Sequence, residues 1–64
     1  MKGKWPELVG QSAEAASQVI HNDRPELALN IVPAGAMVTM DHNVRRVRIY
    51  VNEQNMITSA PKVG

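Results

Sequence analysis

Residues 35–51 read GAMVTMDHNVRRVRIYV, and this stretch decides the architecture of the chain. Its second part alternates apolar and polar residues, which predicts a strand. The apolar positions of that strand face inward, at Val47, Ile49 and Val51. The intervening positions face outward, at Arg46, Arg48 and Tyr50. The first part of the stretch has neither helical nor strand periodicity, so a long loop carrying Met and Val side chains leads directly into an arginine-bearing strand.

Upstream of this stretch, a helix is predicted from residue 13 to about residue 23. Ser12 is its N-cap, because a serine hydroxyl can accept a hydrogen bond from a free backbone N–H of the first turn. Residues at positions i, i+3 and i+4 form one apolar stripe along it, namely Ala16, Val19 and Ile20. Pro25 ends the helix by restricting the residue before it to extended conformations.

Residues 27–32 alternate well enough for another strand, with one side formed by Leu27, Leu29 and Ile31. Turn residues follow the second strand at positions 52–55. A short third strand is predicted at residues 57–60 and a terminal edge strand at residues 61–64. One helix against a small sheet is the architecture that this order of elements favours.

The segment between the two main strands, residues 33–46, has no regular pattern. Loops longer than about 12–15 residues are uncommon and are usually functional or disordered. This loop starts at Pro33 and contains Val38 and Thr39, whose branched side chains are stiff at the first torsion. These residues favour a loop that is held extended.

Composition excludes several classes of protein. The chain has 64 residues, which predicts one domain, and it has no cysteine, so disulfides and thiolate metal sites are excluded. His21 and His42 are too few and too isolated to suggest zinc. The net charge of +1 argues against duplex DNA or an anionic membrane as partner. No apolar run approaches the roughly 20 residues that span a bilayer. Residues 1–5 lack the apolar core of a signal peptide, and Met1 is interpreted as an initiator that replaces any natural leader.

Single residues leave alternatives open. Trp5 either packs at the edge of the core or stacks on a ligand, and His21 is either a solvated helix-end residue or a catalytic one. Met37 and Met40 are by residue type as consistent with a core as with an exposed loop. Nothing indicates an enzyme, because no serine has an evident base and no carboxylates recur at a useful spacing.

The arginines also allow more than one interpretation. Arg46 and Arg48 are either a solvated strand face or a brace for the loop. With Arg45 they could form a small basic patch for nucleic acid, but three arginines and little aromatic content make that interpretation weak.

Several segments together resemble the potato inhibitor I family of serine protease inhibitors. These are residues 5–10 (WPELVG), Pro33 followed by Gly35, residues 38–40, residues 46–48 and residues 61–64. The resemblance covers the whole chain and implies a single domain of residues 1–64. It implies an α+β fold without disulfides, in which one α-helix packs on a small mixed β-sheet. A long exposed reactive loop, at about residues 34–46, would connect two parallel strands.

The resemblance also implies a function. The protein would be a substrate-like, standard-mechanism inhibitor of chymotrypsin- or subtilisin-type serine endopeptidases, and not an enzyme. Its reactive bond would be Met40–Asp41. Further loop residues would contact the protease, namely Met37, Val38, Thr39, His42 and Asn43. Other groups would brace the loop, namely Thr39, Asp41, Arg46, Arg48 and the carboxylate of Gly64.

Partners are implied by the same resemblance. They are serine proteases, with no nucleic acid, membrane, cofactor or metal, and the inhibitor would be a monomer acting in plant defence, in extracellular space or storage tissue. Some residues differ from those of related sequences in ways expected to make the loop less rigid. Ala34 and Ala36 are small, and Arg45 replaces an acidic residue. The alternative is a non-inhibitory family member, a stable scaffold or protein-binding module that proteases cut slowly.

Overall fold

The computed structural model describes residues 3–64. Met1 and Lys2, which belong to the start predicted to lack a signal core, lie outside the described residues. Within residues 3–64 the chain forms a short 3₁₀ turn, one α-helix and three strands. They are the turn Pro6–Leu8, helix α1 (Ala13–Asp23) and strands β1 (Ala28–Val32), β2 (Arg46–Tyr50) and β3 (Lys62–Val63). The predicted α+β class, with a mixed sheet and a long loop between β1 and β2, is confirmed.

Helix α1 begins and ends as its sequence predicts. The Ser12 hydroxyl accepts a hydrogen bond from the Ala15 amide at 3.2 Å, so the cap satisfies one free donor of the first turn. The buried face carries Ala13, Ala16 and Ile20. The prediction for Val19 is wrong, because its side chain is 37% exposed. The buried line follows the spacing i, i+3 and i+7 from Ala13, which leaves Val19 at the margin of the helix face.

Strand β2 is the centre of the sheet. It pairs in parallel with β1, with Ile31 opposite Ile49, and antiparallel with β3, with Arg48 opposite Lys62. Its side chains alternate as predicted: Val47 and Ile49 are fully buried, whereas the side chains of Arg46 and Arg48 remain 11% and 15% exposed. Alternate residues of β2 therefore serve two purposes: Val47 and Ile49 form part of the core, and Arg46 and Arg48 point toward the loop.

The outer parts of the sheet differ from the prediction in two places. Ile31 was expected to face inward with Leu29, but it is 48% exposed, whereas the next residue, Val32, is buried. Because successive side chains of a strand point to opposite faces, the end of β1 is covered on the face opposite to the predicted one. Residues 57–60 are not a strand. Ile57 makes only an isolated bridge to Val51, since its backbone groups pair with Gln11 and Gly10 instead of extending a ladder.

Trp5 lies inside the core and not at its edge. Its side chain is fully buried among Leu8, Ile20 and the inward residues of β2. Its indole Nε1 donates a hydrogen bond of 2.9 Å to Oδ2 of Asp23, the last residue of α1. A buried indole N–H needs a partner, so this bond ties the beginning of the chain to the end of the helix. The ligand-stacking alternative for Trp5 is thereby excluded.

The turn predicted at residues 52–55 is confirmed. The Asn52 side-chain oxygen accepts from the amides of Gln54 and Met56, at 2.9 and 3.0 Å, and Asn55 has a positive φ of 62°. Such local side-chain bonds are the reason why asparagine favours turns. No helix in the described part of the chain has the length and apolar character needed to cross a membrane.

Candidate functional site: an arginine-braced loop

The loop leaves β1 through a tight turn. The Ala36 amide donates to the Pro33 carbonyl at 3.1 Å, and Gly35 has a φ of +79° at the third position of this turn. That backbone conformation is the one a type II turn requires there, and it favours glycine. The sequence prediction used Pro33 as the start of the loop, and it used Gly35 only as part of a resemblance. The structure gives them a physical role, which is to turn the chain away from the sheet.

The apex of the loop exposes two methionines. Met37 and Met40 are each 97% exposed, and Val38 is 38% exposed. Single exposed apolar side chains are common, but a group of neighbouring ones on a loop often marks an interaction site. The structure therefore decides between the two alternatives for these methionines in favour of the exposed loop.

Arg48 holds the segment before Met40. Its Nη1 donates to the Thr39 carbonyl at 2.9 Å, and its Nη2 donates to the Thr39 hydroxyl, also at 2.9 Å. The Arg48 side chain is 15% exposed, so β2 fixes its position. The planar guanidinium thus grips both the main chain and the side chain of a single loop residue.

Arg46 holds the segment after Met40. Its Nη2 donates to the Asp41 carbonyl at 2.9 Å and its Nη1 to the Asp41 carboxylate at 3.2 Å. Its Nε donates to the main-chain oxygen of Gly64 at 3.2 Å, and the Gly64 amide donates back to the Arg46 carbonyl at 2.9 Å. Gly64, predicted to be near the arginines, is therefore hydrogen-bonded to Arg46 but not to Arg48.

The carboxylate of Asp41 links the two halves of the brace. It accepts a hydrogen bond from the Thr39 hydroxyl, and its Oδ1 lies 3.7 Å from Nη2 of Arg48. The Thr39 hydroxyl, followed by Arg46, holds the pKa of the Asp41 carboxyl below its ordinary value. Asp41 is therefore the charged partner that lets two arginines of like charge converge on one loop.

His42 and Asn43 turn toward the chain's own framework. The His42 ring packs on Gly64, so that a Cβ placed on Gly64 would be 3.3 Å from its Cε1 and Nδ1 atoms. The Asn43 side-chain oxygen accepts from the Arg45 amide at 2.9 Å, and its carbonyl accepts from the Arg46 amide at 3.2 Å. The sequence prediction missed this turn, although asparagine before a two-residue bend is a recognisable signal for it. Both residues are exposed as well.

Arg45 separates from the other two arginines. It is exposed, and its backbone amide takes part in the Asn43 turn. The described residues include no group of three His, Asp or Glu side chains placed to hold a metal ion. What the geometry provides is an extended apolar segment whose backbone is held on both sides of Met40.

Comparison with known proteins gives this geometry its context. Residues 1–64 match the sequence model of the Potato inhibitor I family. The chain belongs to the potato inhibitor I family. It is 41% identical over 63 residues to Subtilisin inhibitor 1 of Phaseolus angularis, which covers 98% of this chain and 68% of that relative. It is 36% identical over 63 residues to Subtilisin-chymotrypsin inhibitor CI-1C of Hordeum vulgare, covering 98% and 82%.

Solved structures agree with this membership. The Bitter Gourd Trypsin Inhibitor superposes with a TM-score of 0.94 at 35% identity, over 98% of this chain and 93% of that chain. The predictions of family, fold and non-enzymatic class are confirmed, because the potato inhibitor I family and these relatives are protease inhibitors and not enzymes. The three names cite subtilisin, chymotrypsin and trypsin, so membership in the family does not by itself define a target.

Proposed function

We propose that this family member inhibits chymotrypsin- and subtilisin-type serine endopeptidases as a substrate-like, standard-mechanism inhibitor, with Met40–Asp41 as its reactive bond. One observation carries this proposal. The fully exposed Met40 stands between Thr39 and Asp41, and the carbonyl of each neighbour is held by a different arginine of β2. This is the only residue of the described loop that is bracketed by such a pair of contacts.

The side chain of Met40 supports the choice of target. Proteases recognise an extended backbone by strand-like pairing, and a pocket for one side chain supplies the specificity. An unbranched thioether is apolar and flexible, which suits the hydrophobic primary pocket of chymotrypsin. It offers no cation to the aspartate at the base of the trypsin pocket.

The brace explains how a substrate-like loop could inhibit. A flexible peptide loses conformational entropy when a protease orders it, whereas a loop that is already held avoids most of that loss and binds more tightly. The Met40 carbonyl would occupy the oxyanion hole, as in any substrate. The same contacts therefore favour tight binding without changing the chemistry of the bond.

The brace also affects the fate of the loop after cleavage. Arg48 holds the acyl side through Thr39, and Arg46 holds the amine side through Asp41. Because both arginines belong to one strand, two residues apart, the cut ends would remain close together. A held amine has a high effective concentration, so religation competes with hydrolysis.

The test is a titration against subtilisin, chymotrypsin and trypsin, with mass analysis of any cleaved product. We expect tight inhibition of subtilisin and chymotrypsin, with slow equilibration between the intact and the cleaved Met40–Asp41 bond. Met40→Lys is the matched variant, since it keeps the brace and should exchange chymotrypsin for trypsin as target. Inhibition of trypsin alone by the unaltered protein contradicts the proposed specificity. Rapid and complete cleavage at Met40–Asp41 without inhibition supports the non-inhibitory scaffold instead.

A further inference from the structure

The accessible sulfur of the described chain is concentrated in the loop. Met37 and Met40 are each 97% exposed, whereas Met56 is only half-buried beside the Asn52 turn. The sequence contains no cysteine. Trp5, the other side chain that oxidants attack readily, is fully buried. Mild oxidants therefore meet the loop thioethers first, because susceptibility follows exposure.

We propose that Met40 is a reversible oxidation site that switches inhibition off while the fold stays intact; this rests on the proposed function. In the reaction, a hydroperoxide loses its O–O bond and the Met40 sulfur gains one oxygen atom. The sulfur is oxidised by two electrons to the sulfoxide, and the hydroperoxide is reduced to water or an alcohol. A methionine sulfoxide reductase returns the thioether: an external dithiol supplies two electrons and becomes a disulfide, and the sulfoxide oxygen leaves as water.

The fold does not depend on either thioether of the loop. The core is built from Trp5, Leu8, helix α1 and β2, and neither loop methionine belongs to it. The brace uses the carbonyls, hydroxyl and carboxylate of Thr39 and Asp41, so it contains no sulfur. Oxidation at Met40 consequently leaves the loop braced and changes only the group that it presents.

Inhibition does depend on Met40, because its side chain would enter an apolar pocket. A sulfoxide is polar, and burying a polar group without a hydrogen-bond partner is unfavourable. We expect inhibition to weaken about tenfold or more. Met37 provides an internal control, since it is equally exposed three residues earlier and lies outside the proposed bond.

The experiment treats the protein with dilute hydrogen peroxide, removes the peroxide, and measures both peptide masses and inhibition of subtilisin. Three proteins are compared: the unaltered chain, Met37→Leu and Met40→Leu. Leucine is close to methionine in volume and apolarity and cannot be oxidised in this way. The near-ultraviolet signal of the buried Trp5 monitors the fold.

The expected result has three parts, and the inhibition by each protein is compared with its own value before peroxide. Met37 and Met40 gain oxygen before Met56, peroxide weakens inhibition by the unaltered chain and by Met37→Leu, and peroxide does not change whatever inhibition Met40→Leu has before treatment. Treatment with a methionine sulfoxide reductase and a dithiol reductant restores inhibition by the unaltered chain. The proposal is overturned if oxidised protein still inhibits, if Met40→Leu loses inhibition equally, or if the Trp5 signal collapses. Absence of inhibition before any peroxide is a different failure, because it removes the proposed function itself and the switch with it.

Discussion

Both terminal guanidinium nitrogens of Arg48 donate hydrogen bonds to Thr39, one to the carbonyl and one to the hydroxyl, each at 2.9 Å. A strand residue of the sheet thereby fixes the backbone of a loop residue nine positions earlier in the sequence. The arginine lies on the outward parity of β2 and is only 15% exposed. Its own position is set by the sheet, so the order of the loop depends on the order of the core.

The first prediction concerns this contact. Arg48→Ala removes two hydrogen bonds that hold the loop, both of them exposed to solvent, and we expect subtilisin to cleave the loop about tenfold faster or more, which corresponds to about 1.4 kcal/mol. The free energy of unfolding should fall by less than the change in cleavage rate implies, because Arg48 contributes nothing to the apolar core. Cleavage is followed by mass analysis and unfolding by urea titration.

Arg45→Ala is the matched control, since Arg45 is exposed and joins the loop turn through its backbone amide. It should change neither readout appreciably. If Arg48→Ala leaves cleavage unchanged while the melting temperature collapses, the arginine supports the fold and not the loop.

The second prediction concerns pH. The pKa of Asp41 is lowered, first by the Thr39 hydroxyl and then by Arg46, so the folded state binds a proton at Asp41 less readily than the unfolded chain. The stabilisation that Asp41 provides is complete above the ordinary aspartate pKa of about 3.9. It disappears as the pH falls through the lower folded-state pKa.

The measurement compares the unaltered protein with Asp41→Asn across the acidic range. The difference in unfolding free energy should be constant above about pH 5 and should shrink at lower pH. An NMR titration of the Asp41 carboxyl provides the folded-state pKa directly. A value at or above that of an unstructured aspartate contradicts the contacts of Asp41 with Thr39 and Arg46.

The third prediction separates two neighbours on α1. Ile20 is fully buried, and Ile20→Ala should lower the unfolding free energy by about 2–5 kcal/mol. Val19 is 37% exposed, so Val19→Ala should lower it by less than about 1 kcal/mol. Urea titration of both variants decides the orientation of the helix, and equal losses would contradict the observed face.

The fourth prediction concerns Trp5 and Asp23. Asp23→Ala leaves the buried indole N–H without its acceptor, which should destabilise the protein by about 1–3 kcal/mol. Asp23→Asn keeps a carbonyl oxygen in place and should recover part of that loss. Inhibition of proteases should be unaffected in both variants, since among the described residues no hydrogen bond joins Trp5 or Asp23 to the loop or its brace. A loss of inhibition without a loss of stability would be the contrary outcome.

Local signals were sufficient for much of the fold. Ser12 and Pro25 marked the limits of α1, and alternation along β2 separated its buried from its outward residues. The exposure of Val19 and Ile31 could not be read from periodicity, because it depends on how far the helix and the neighbouring strand cover each side chain. The burial of Trp5 likewise depends on Asp23, 18 positions away in the sequence.

The candidate site divides in the same way. The shared parity of Arg46 and Arg48 predicted that both side chains could reach the loop. Other contacts join segments that are distant in the sequence. They are the hydrogen bonds of the arginines to Thr39 and Asp41 and the packing of His42 on Gly64. Such contacts arise from the completed fold and leave no periodic trace in the sequence.

The pairing register of β2 has a consequence for how this molecule can fail. Val47 and Ile49 are core residues, and Arg46 and Arg48 hold the loop, so both tasks depend on which residues of β2 face which way. A slip of one residue would turn every side chain of the strand to the opposite face. It would place guanidinium groups in the apolar interior and valine toward solvent, a combination that no compact state tolerates. A shift in register would therefore disrupt the core and the loop brace together. A chain that reaches the correctly packed core has also placed Arg46 and Arg48 on the side of the loop.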